Sequence, residues 1–165
     1  MNSSIHKNLC QSLPLGRSLA ILTKSYYGAL TKRLEHLEIE RYYSILILIE
    51  RLENGFTQQY ICDQLKMDKV SMVRIMNFLI EKKYLRKIQN PTDKRAYLIE
   101  LTKKSLRILP EIHQAIDAVN AYALNGLSAS QQKVLYGHLS KMQSNLEELP
   151  TKKIFINFKK SSKQK

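Results

Sequence analysis

The residues whose types and spacing most clearly suggest a chemical role lie between Asp68 and Lys83, where apolar residues recur at helical spacing. On such a helix Arg74 can donate to two acceptors on a guanine, and Ser71 and Asn77 can hydrogen-bond to bases or phosphates. This polar, basic face suits reading of a nucleic-acid duplex, although an ordinary solvated helix also carries charges on its outer face. The candidate DNA contacts of this segment are Lys69, Val70, Ser71, Val73, Arg74 and Asn77.

A second group of charged residues, Asp93, Lys94 and Arg95, follows the turn-forming pair Asn90-Pro91. Short strands predicted over 84–88 and 97–101 flank it, so the segment reads as a β-hairpin with a charged tip. Lys94 and Arg95 could reach a minor groove or lie along the phosphate backbone. Phosphate repels Asp93, which we expect instead to orient Arg95 or another nearby arginine. A solvent-exposed turn with incidental charges is the alternative.

The elements that position these residues follow from apolar periodicity and capping signals. Thr57 is a plausible N-cap, and Ser128 with Gln131 forms a capping-box signature. Two short helices with a tight connection form a helix-turn-helix, and a hairpin directly after it is a wing. We therefore expect a mainly α fold, a winged helix-turn-helix with long terminal helices and a two-stranded wing. The predicted helices cover 12–37, 40–52, 57–65, 68–83, 102–124 and 128–149.

Composition restricts the partner and the compartment. The 165 residues include 27 Lys+Arg against 14 Asp+Glu, a formal net charge of +13, which favours a polyanion as the partner. Nine Lys/Arg against four acids fall in residues 57–95, and six Lys without an acid in 151–165. The longest apolar run, 45–49, is far shorter than the ~20 residues of a membrane span. No secretory signal pattern opens the chain, and two cysteines suit a reducing cytosol, so we expect a cytoplasmic protein.

The segment 57–102 resembles the MarR (multiple antibiotic resistance regulator) family of winged-helix transcription factors. The resemblance rests on Thr57-Gln58-Gln59-Tyr60-Ile61-Cys62-Asp63-Gln64-Leu65 and on Asp68-Lys69-Val70-Ser71-Met72-Val73-Arg74-Ile75-Met76. Its most specific part is Asn90-Pro91-Thr92-Asp93-Lys94-Arg95-Ala96-Tyr97-Leu98-Ile99-Glu100-Leu101-Thr102, which is similar to the family's Asp-x-Arg wing and following Leu-Thr strand end. The order of elements matches over roughly residues 12–149.

The resemblance implies a homodimer that binds double-stranded DNA. Its fourth helix would enter a major groove through Arg74, and the wing pair Asp93 and Arg95 would touch the adjacent minor groove. The implied division is 12–39 and 102–149 for dimerisation, 40–101 for the DNA-binding domain, and 150–165 for a basic tail. The residues expected between the subunits are Leu15, Leu19, Leu22, Tyr26, Ile112, Ile116, Leu135, Leu139, Met142 and Leu146.

One position departs from the family pattern. Many members have Gly between the fourth helix and the first wing strand, where this chain has Lys83 followed by Tyr84. A non-glycine residue must adopt a positive φ at some cost there, or the helix must close differently.

The resemblance also implies a small aromatic or anionic effector that releases the DNA. The candidate pocket residues are Arg17, Tyr26, Tyr27, Arg41, Tyr42 and Tyr43, although tyrosines at helical spacing are more often part of a core. Cys10 is only loosely similar to the peroxide-sensing cysteine of some members, and Cys62 suits a buried structural thiol. His113 and Asp117, four residues apart, and the distant His36 form a weak metal-site pattern. We expect no cofactor, no metal and no enzymatic activity.

The basic C-terminal tail supports an alternative function, a peripheral membrane or scaffold protein. Its lysines surround the apolar residues Ile154, Phe155, Ile156 and Phe158, a pattern that suits an anionic lipid surface. The same segment could instead add non-specific phosphate contacts or pack on a partner subunit. Since the helix-turn-helix and the wing favour DNA, no membrane partner is expected.

Overall fold

A computed structural model of the chain describes residues 13–39, 42–52, 56–65 and 67–150. These residues form six α-helices and three strands, so the mainly α class is confirmed. The helices are α1 (Leu15–Arg33), α2 (Tyr43–Arg51), α3 (Gln58–Gln64), α4 (Lys69–Glu81), α5 (Lys103–Ala123) and α6 (Ala129–Glu147). The strands are β1 (Phe56–Thr57), β2 (Leu85–Gln89) and β3 (Tyr97–Leu101).

Side-chain caps define where the helices begin. The Thr57 hydroxyl accepts from the backbone N–H of Tyr60 at 3.2 Å, which confirms the predicted start of α3. Ser128 and Gln131 form the predicted capping box: the Ser128 hydroxyl accepts from the Gln131 N–H at 3.3 Å, and the Gln131 side chain accepts from the Ser128 N–H at 2.8 Å. Each cap pairs an amide that has no partner within its helix.

The predicted wing hairpin is present, and its sheet contains one further strand. β2 and β3 pair antiparallel, with Leu85 opposite Leu101 and Gln89 opposite Tyr97. β1 pairs with the other edge of β3, so the strand order is β1-β3-β2. The β1 strand has only two residues and pairs with a segment about forty positions later. Neither alternation nor a local turn therefore signals it in the sequence.

The core lies where α2, α4 and α5 meet the sheet. The predicted apolar stripe of α4 is confirmed, since Met72, Ile75, Met76 and Leu79 are all buried. The apolar α2 likewise buries Tyr43, Ile45, Leu46 and Ile49. From α5, the buried residues are Ser105, Leu109, Ile112, Ala115 and Val119.

Two sequence predictions need correction in detail. The first helix was expected to reach residue 37, but α1 ends at Arg33 and a separate 3₁₀ turn, Glu35–Leu37, follows it. Glu38 then adopts φ 51°, which reverses the chain toward α2. Ile112 was expected between subunits, but it is fully buried in the core of its own subunit. Helical periodicity alone does not distinguish these two kinds of burial.

The first and last helices, α1 and α6, leave apolar side chains exposed. Helix α6 has no buried residue at all. Leu15 and Leu22 of α1 are 58% and 62% exposed, and Leu146 of α6 is 56% exposed. Among the described residues, no helix is both long and apolar enough to cross a bilayer.

Candidate nucleic-acid interface

Helix α4 has two opposite faces. Four buried residues, at positions 72, 75, 76 and 79, anchor it to the core. At 100° per residue, positions 70, 73, 74 and 77 fall on the opposite side, and all four residues are exposed. Ser71 lies beside this stripe and is only half-buried, and Lys69 is exposed on the other flank. The predicted major-groove residues therefore share one accessible surface, on a helix about 20 Å long.

The start of α4 is fixed by Asp68. Its carboxylate accepts the backbone N–H of Ser71 at 2.8 Å. Hydrogen bonds from the side chain and the backbone of Ser71 hold the pKa of Asp68 below its ordinary value. Asp68 therefore supplies the anion that the helix N-terminus attracts. The first exposed residues after it are Lys69 and Val70.

The tip of the wing is held by Asn90 and Asp93. The Asn90 side chain accepts from the backbone N–H of Thr92 at 3.0 Å and from its hydroxyl at 2.8 Å. Asp93 accepts from the backbone N–H of Arg95 at 2.9 Å. Asp93 thus contacts Arg95, as predicted, and it does so through the backbone amide of Arg95 and not through the side chain. Within the described residues the guanidinium of Arg95 has no acidic partner, and Lys94 beside it is exposed.

The first wing strand contains two further basic residues, Arg86 and Lys87, which were not among the predicted DNA contacts. Arg86 on β2 donates to Glu100 on β3 at 2.7 and 3.0 Å, so its charge is largely compensated. Lys87 is exposed and has no such carboxylate among the described residues, which makes it a further candidate phosphate contact. Its position on a predicted strand within the basic 57–95 segment was the available signal.

Helix α4 and the wing are joined at Lys83. This residue adopts φ 61°, so the chain takes the left-handed conformation that the family usually assigns to Gly. The N–H groups of Lys83 and Tyr84 bond to the carbonyls of Ile80 and Leu79 at 2.9 and 2.8 Å, which forms a Schellman motif. The helix therefore ends as it would with Gly at this position. The steric cost of the left-handed conformation is borne by the backbone of Lys83.

The predicted effector residues do not form one cluster. Tyr43 is 2% exposed and belongs to the core, and Tyr42 contacts Phe78 of α4 edge-on at 5.4 Å. Tyr26 and Tyr27 meet edge-on at 5.7 Å. Arg17 is exposed on α1, nine residues and therefore about 13 Å before Tyr26. Arg41 lies outside the described residues.

Tyr26 and its neighbours form a polar patch between α1 and α5. The Tyr26 hydroxyl donates to the Asn120 side chain at 2.7 Å. Burial raises the pKa of Tyr26, and the neighbouring Tyr27, Tyr136 and Asp117 shift it in the same direction. Of the proposed pocket residues, Tyr26 and Tyr27 thus remain together at a partly accessible position.

Cys62, His113 and His36 each have a hydrogen-bond or ion-pair partner within the fold. Cys62 is buried, and its thiol donates to the carbonyl of Met67 at 2.8 Å across the turn of the helix-turn-helix. His113 pairs with Glu50 at 2.6 Å, and His36 pairs with Glu111 at 2.6 Å. In the described parts of the chain no three His, Cys, Asp or Glu residues gather as a metal site. Cys10 and the tail from Thr151 lie outside the described residues.

Comparison with known sequences finds a family match for the middle of the chain. The sequence model described as the MarR family matches residues 40–96, a segment that includes α2, the helix-turn-helix, β2 and the wing tip. This chain carries a MarR-family winged helix. The MarR region is the same segment that positions the exposed stripe of α4 and the basic wing.

Solved structures of MarR-family regulators have the same fold. Wild-type MarR from E. coli in its apo form is 25% identical, with a TM-score of 0.65, over 79% of this chain and 96% of that chain. A cysteine-to-serine mutant of the same protein complexed with operator DNA is 24% identical, with a TM-score of 0.72, over 81% and 96%. A putative MarR family transcriptional regulator from Listeria monocytogenes complexed with 26mer DNA is 21% identical, with a TM-score of 0.73, over 81% and 89%. The likeness covers about four fifths of this chain and thus extends beyond residues 40–96.

Proposed function

We propose that this chain is a DNA-binding transcriptional regulator that acts as a homodimer on a pseudo-palindromic operator. The observation that carries the proposal is the outward stripe of α4, which lies opposite the buried anchor and is followed by a basic wing. The major groove is about 12 Å wide and admits a helix, whereas a minor groove admits only side chains or an extended arm. The similar proteins from E. coli and Listeria are both described in complex with DNA.

Each proposed contact has a distinct role. Arg74 reads a guanine, Asn77 and Ser71 bond to bases or phosphates, and Lys69 binds a phosphate. In the wing, Arg95 and Lys94 approach the minor groove or the backbone, and Asp93 holds the Arg95 backbone in place. The chain's function is binding and not catalysis, and we place it in the cytoplasm.

The homodimer is supported by the apolar surfaces of α1 and α6. No residue of α6 is fully buried within its own subunit, and yet the helix is regular, well capped and lined with apolar residues. Most of the stability of a helix in water comes from packing of its apolar face, so α6 requires a partner. A second copy offers the same unpaired α1 and α6 surfaces in a two-fold arrangement. A dimer in turn predicts half-sites about one helical turn, or ~10 bp, apart or a multiple of this.

Selection of bound sequences from a random duplex pool tests this function. The proposal predicts an inverted repeat with a defined spacing between its halves. A flat, sequence-independent outcome would leave only a non-specific DNA binder, and absence of any duplex binding would remove the proposal. The alternative membrane function depends on residues 151–165, which lie outside the described residues, and a comparison of binding to anionic vesicles with and without them would test it separately.

The proposed function includes release of the DNA by a small aromatic or anionic effector. Its support is the partly buried Tyr26–Tyr27 pair beside Asn120 of α5, at the junction of the proposed dimer helices. Titration of the preformed DNA complex with benzoate-type carboxylates should release the duplex, and a Tyr26→Phe variant should respond at a different concentration. An unchanged complex at millimolar carboxylate would exclude this class of effector.

A further inference from the structure

Two apolar side chains stand in the middle of the proposed reading surface. Val70 is 81% exposed and Val73 is 40% exposed, although both lie on a helix whose other face is fully buried. Single exposed valines are common on protein surfaces. Here, however, the two lie one turn apart and share the stripe of Arg74 and Asn77.

The geometry of α4 directs both valines away from the core of their own subunit. They lie on the same side as positions 74 and 77, opposite the buried positions 72, 75, 76 and 79. Valine in a helix is held largely in one χ1 rotamer, so its methyl groups are presented in a defined direction. A partner can therefore contact them with little loss of side-chain entropy.

The surroundings of the valines favour DNA over a protein as the occupant. Lys69 and Arg74 lie beside them, and the exposed side chains from Lys69 to Asn77 include no acid. Lys94 and Arg95 extend the positive surface into the wing. The basic residues of this surface are complementary to the phosphates that line a DNA groove. The valines among them are complementary to an apolar group inside that groove.

The major groove offers one such group. Its base edges present hydrogen-bond donors and acceptors, and the only methyl group there is the C5-methyl of thymine. We propose that Val70 and Val73 read thymine methyl groups, so that each half-site has A·T pairs beside the guanine contacted by Arg74. This inference rests on the proposed DNA-binding function and specifies the class of sequence that the site recognises.

The test uses the duplex obtained by selection and replaces its thymines by deoxyuridine, one position at a time. This exchange removes the methyl group and keeps every hydrogen-bonding group of the base pair. Burial of one methyl group corresponds to about a three- to fivefold change in affinity. We expect such a loss at one or two positions in each half-site and no change elsewhere.

Substitution of the protein assigns the methyl contacts to residues. Val70→Ala and Val73→Ala should each weaken binding to the thymine duplex by a similar factor. Each should also lose the difference between thymine and deoxyuridine at its own position, and at that position only. Val70→Thr keeps one methyl group in nearly the same place and should retain much of the discrimination. Since Val70 is exposed and Ala favours helices, the fold should survive, which a thermal unfolding curve checks.

The outcomes separate the two levels of the argument. Sequence-specific binding with equal affinity for thymine and deoxyuridine at every position would overturn the valine assignment and leave the regulator intact. A methyl effect that persists in both alanine variants would also overturn it. A protein that selects no sequence would overturn the proposed function itself, and the valine assignment with it.

Discussion

The phenol of Tyr84 donates a hydrogen bond at 2.7 Å to the backbone carbonyl of Leu37, which lies in the turn after α1. Tyr84 is 4% exposed, and its own carbonyl accepts from the backbone N–H of Thr102 at 3.1 Å and from the Ser105 hydroxyl. One residue therefore joins the end of α4, the turn after α1 and the start of α5. These contacts fix the proposed DNA-binding unit relative to the helices that we assign to the dimer.

Removal of this phenol should be costly. Tyr84→Phe leaves the carbonyl of Leu37 buried without its partner, and we expect a loss of about 1–3 kcal/mol in the free energy of unfolding. Urea unfolding monitored by circular dichroism measures it. Tyr97→Phe, at an exposed wing position, is the matched control and should be nearly neutral. Equal stability of both variants would show that the Tyr84 contact contributes nothing.

Removal of the steric strain at Lys83 should stabilise the protein. Because this residue has φ 61° at a helix end, Lys83→Gly removes the steric cost of a Cβ in the left-handed region and should gain about 1 kcal/mol. Lys83→Ala removes the same side chain and keeps the Cβ, so it should show no gain. The two midpoints of thermal unfolding decide it, and a gain in the alanine variant alone would contradict this reading of the turn.

The cap at Asp68 should make stability depend on pH in the acidic range. Its pKa is lowered from 3.8 in the folded state, so the ionised carboxylate stabilises the fold above that pH, and this contribution is lost as the pH falls through the folded value. Asp68→Asn keeps a capping oxygen but no longer titrates, so its stability should fall less steeply between about pH 5 and pH 2. Asp68→Ala should lose stability even at pH 7.

Parallel acid titrations of the three proteins test the cap. If the asparagine variant lost stability with falling pH as steeply as wild type, other carboxylates would account for the acid dependence. If the alanine variant matched wild type at pH 7, the hydrogen bond to Ser71 would have no energetic weight.

Local signals in the sequence were sufficient for most elements, and long-range contacts were not. Thr57 and the Ser128–Gln131 pair predicted helix starts correctly because capping depends on residues three positions apart. The stripe at 72, 75, 76 and 79 followed from period alone. Pairing of β1 with β3 and the bond from Tyr84 to Leu37 depend on residues about forty or more positions apart, which no local pattern encodes.

The candidate site divides in the same way. The exposure of Arg74 and Asn77 follows from their place opposite an apolar stripe, so the reading face could be predicted. The donor atom on Arg95 that Asp93 binds could not be predicted, because a turn carboxylate can equally accept from a nearby amide or an arginine side chain. The tyrosines at 26, 27, 42 and 43 illustrate a further limit, since their spacing does not distinguish the core position of Tyr43 from the partly accessible Tyr26.

Disruption of the exposed apolar surface of α1 should yield monomers. Leu22→Glu introduces a charge where we expect the partner subunit, and this should weaken dimerisation at least tenfold, because an unpaired buried charge is very costly. Lys24→Glu, on the opposite side of the same helix, changes the charge without touching that surface. Sedimentation equilibrium across protein concentrations measures both. A wild-type protein that is monomeric throughout would contradict the homodimer.

We propose that the outer face of α4 reads a DNA sequence. The most direct measurement is the affinity of wild type and Arg74→Ala for the selected duplex, with Lys141→Ala on α6 as a control that loses the same charge. Arg74→Ala should lose about 1–3 kcal/mol of binding free energy and relax the preference at one base pair, while Lys141→Ala should bind as wild type does. Equal affinity and equal specificity of all three proteins would contradict it.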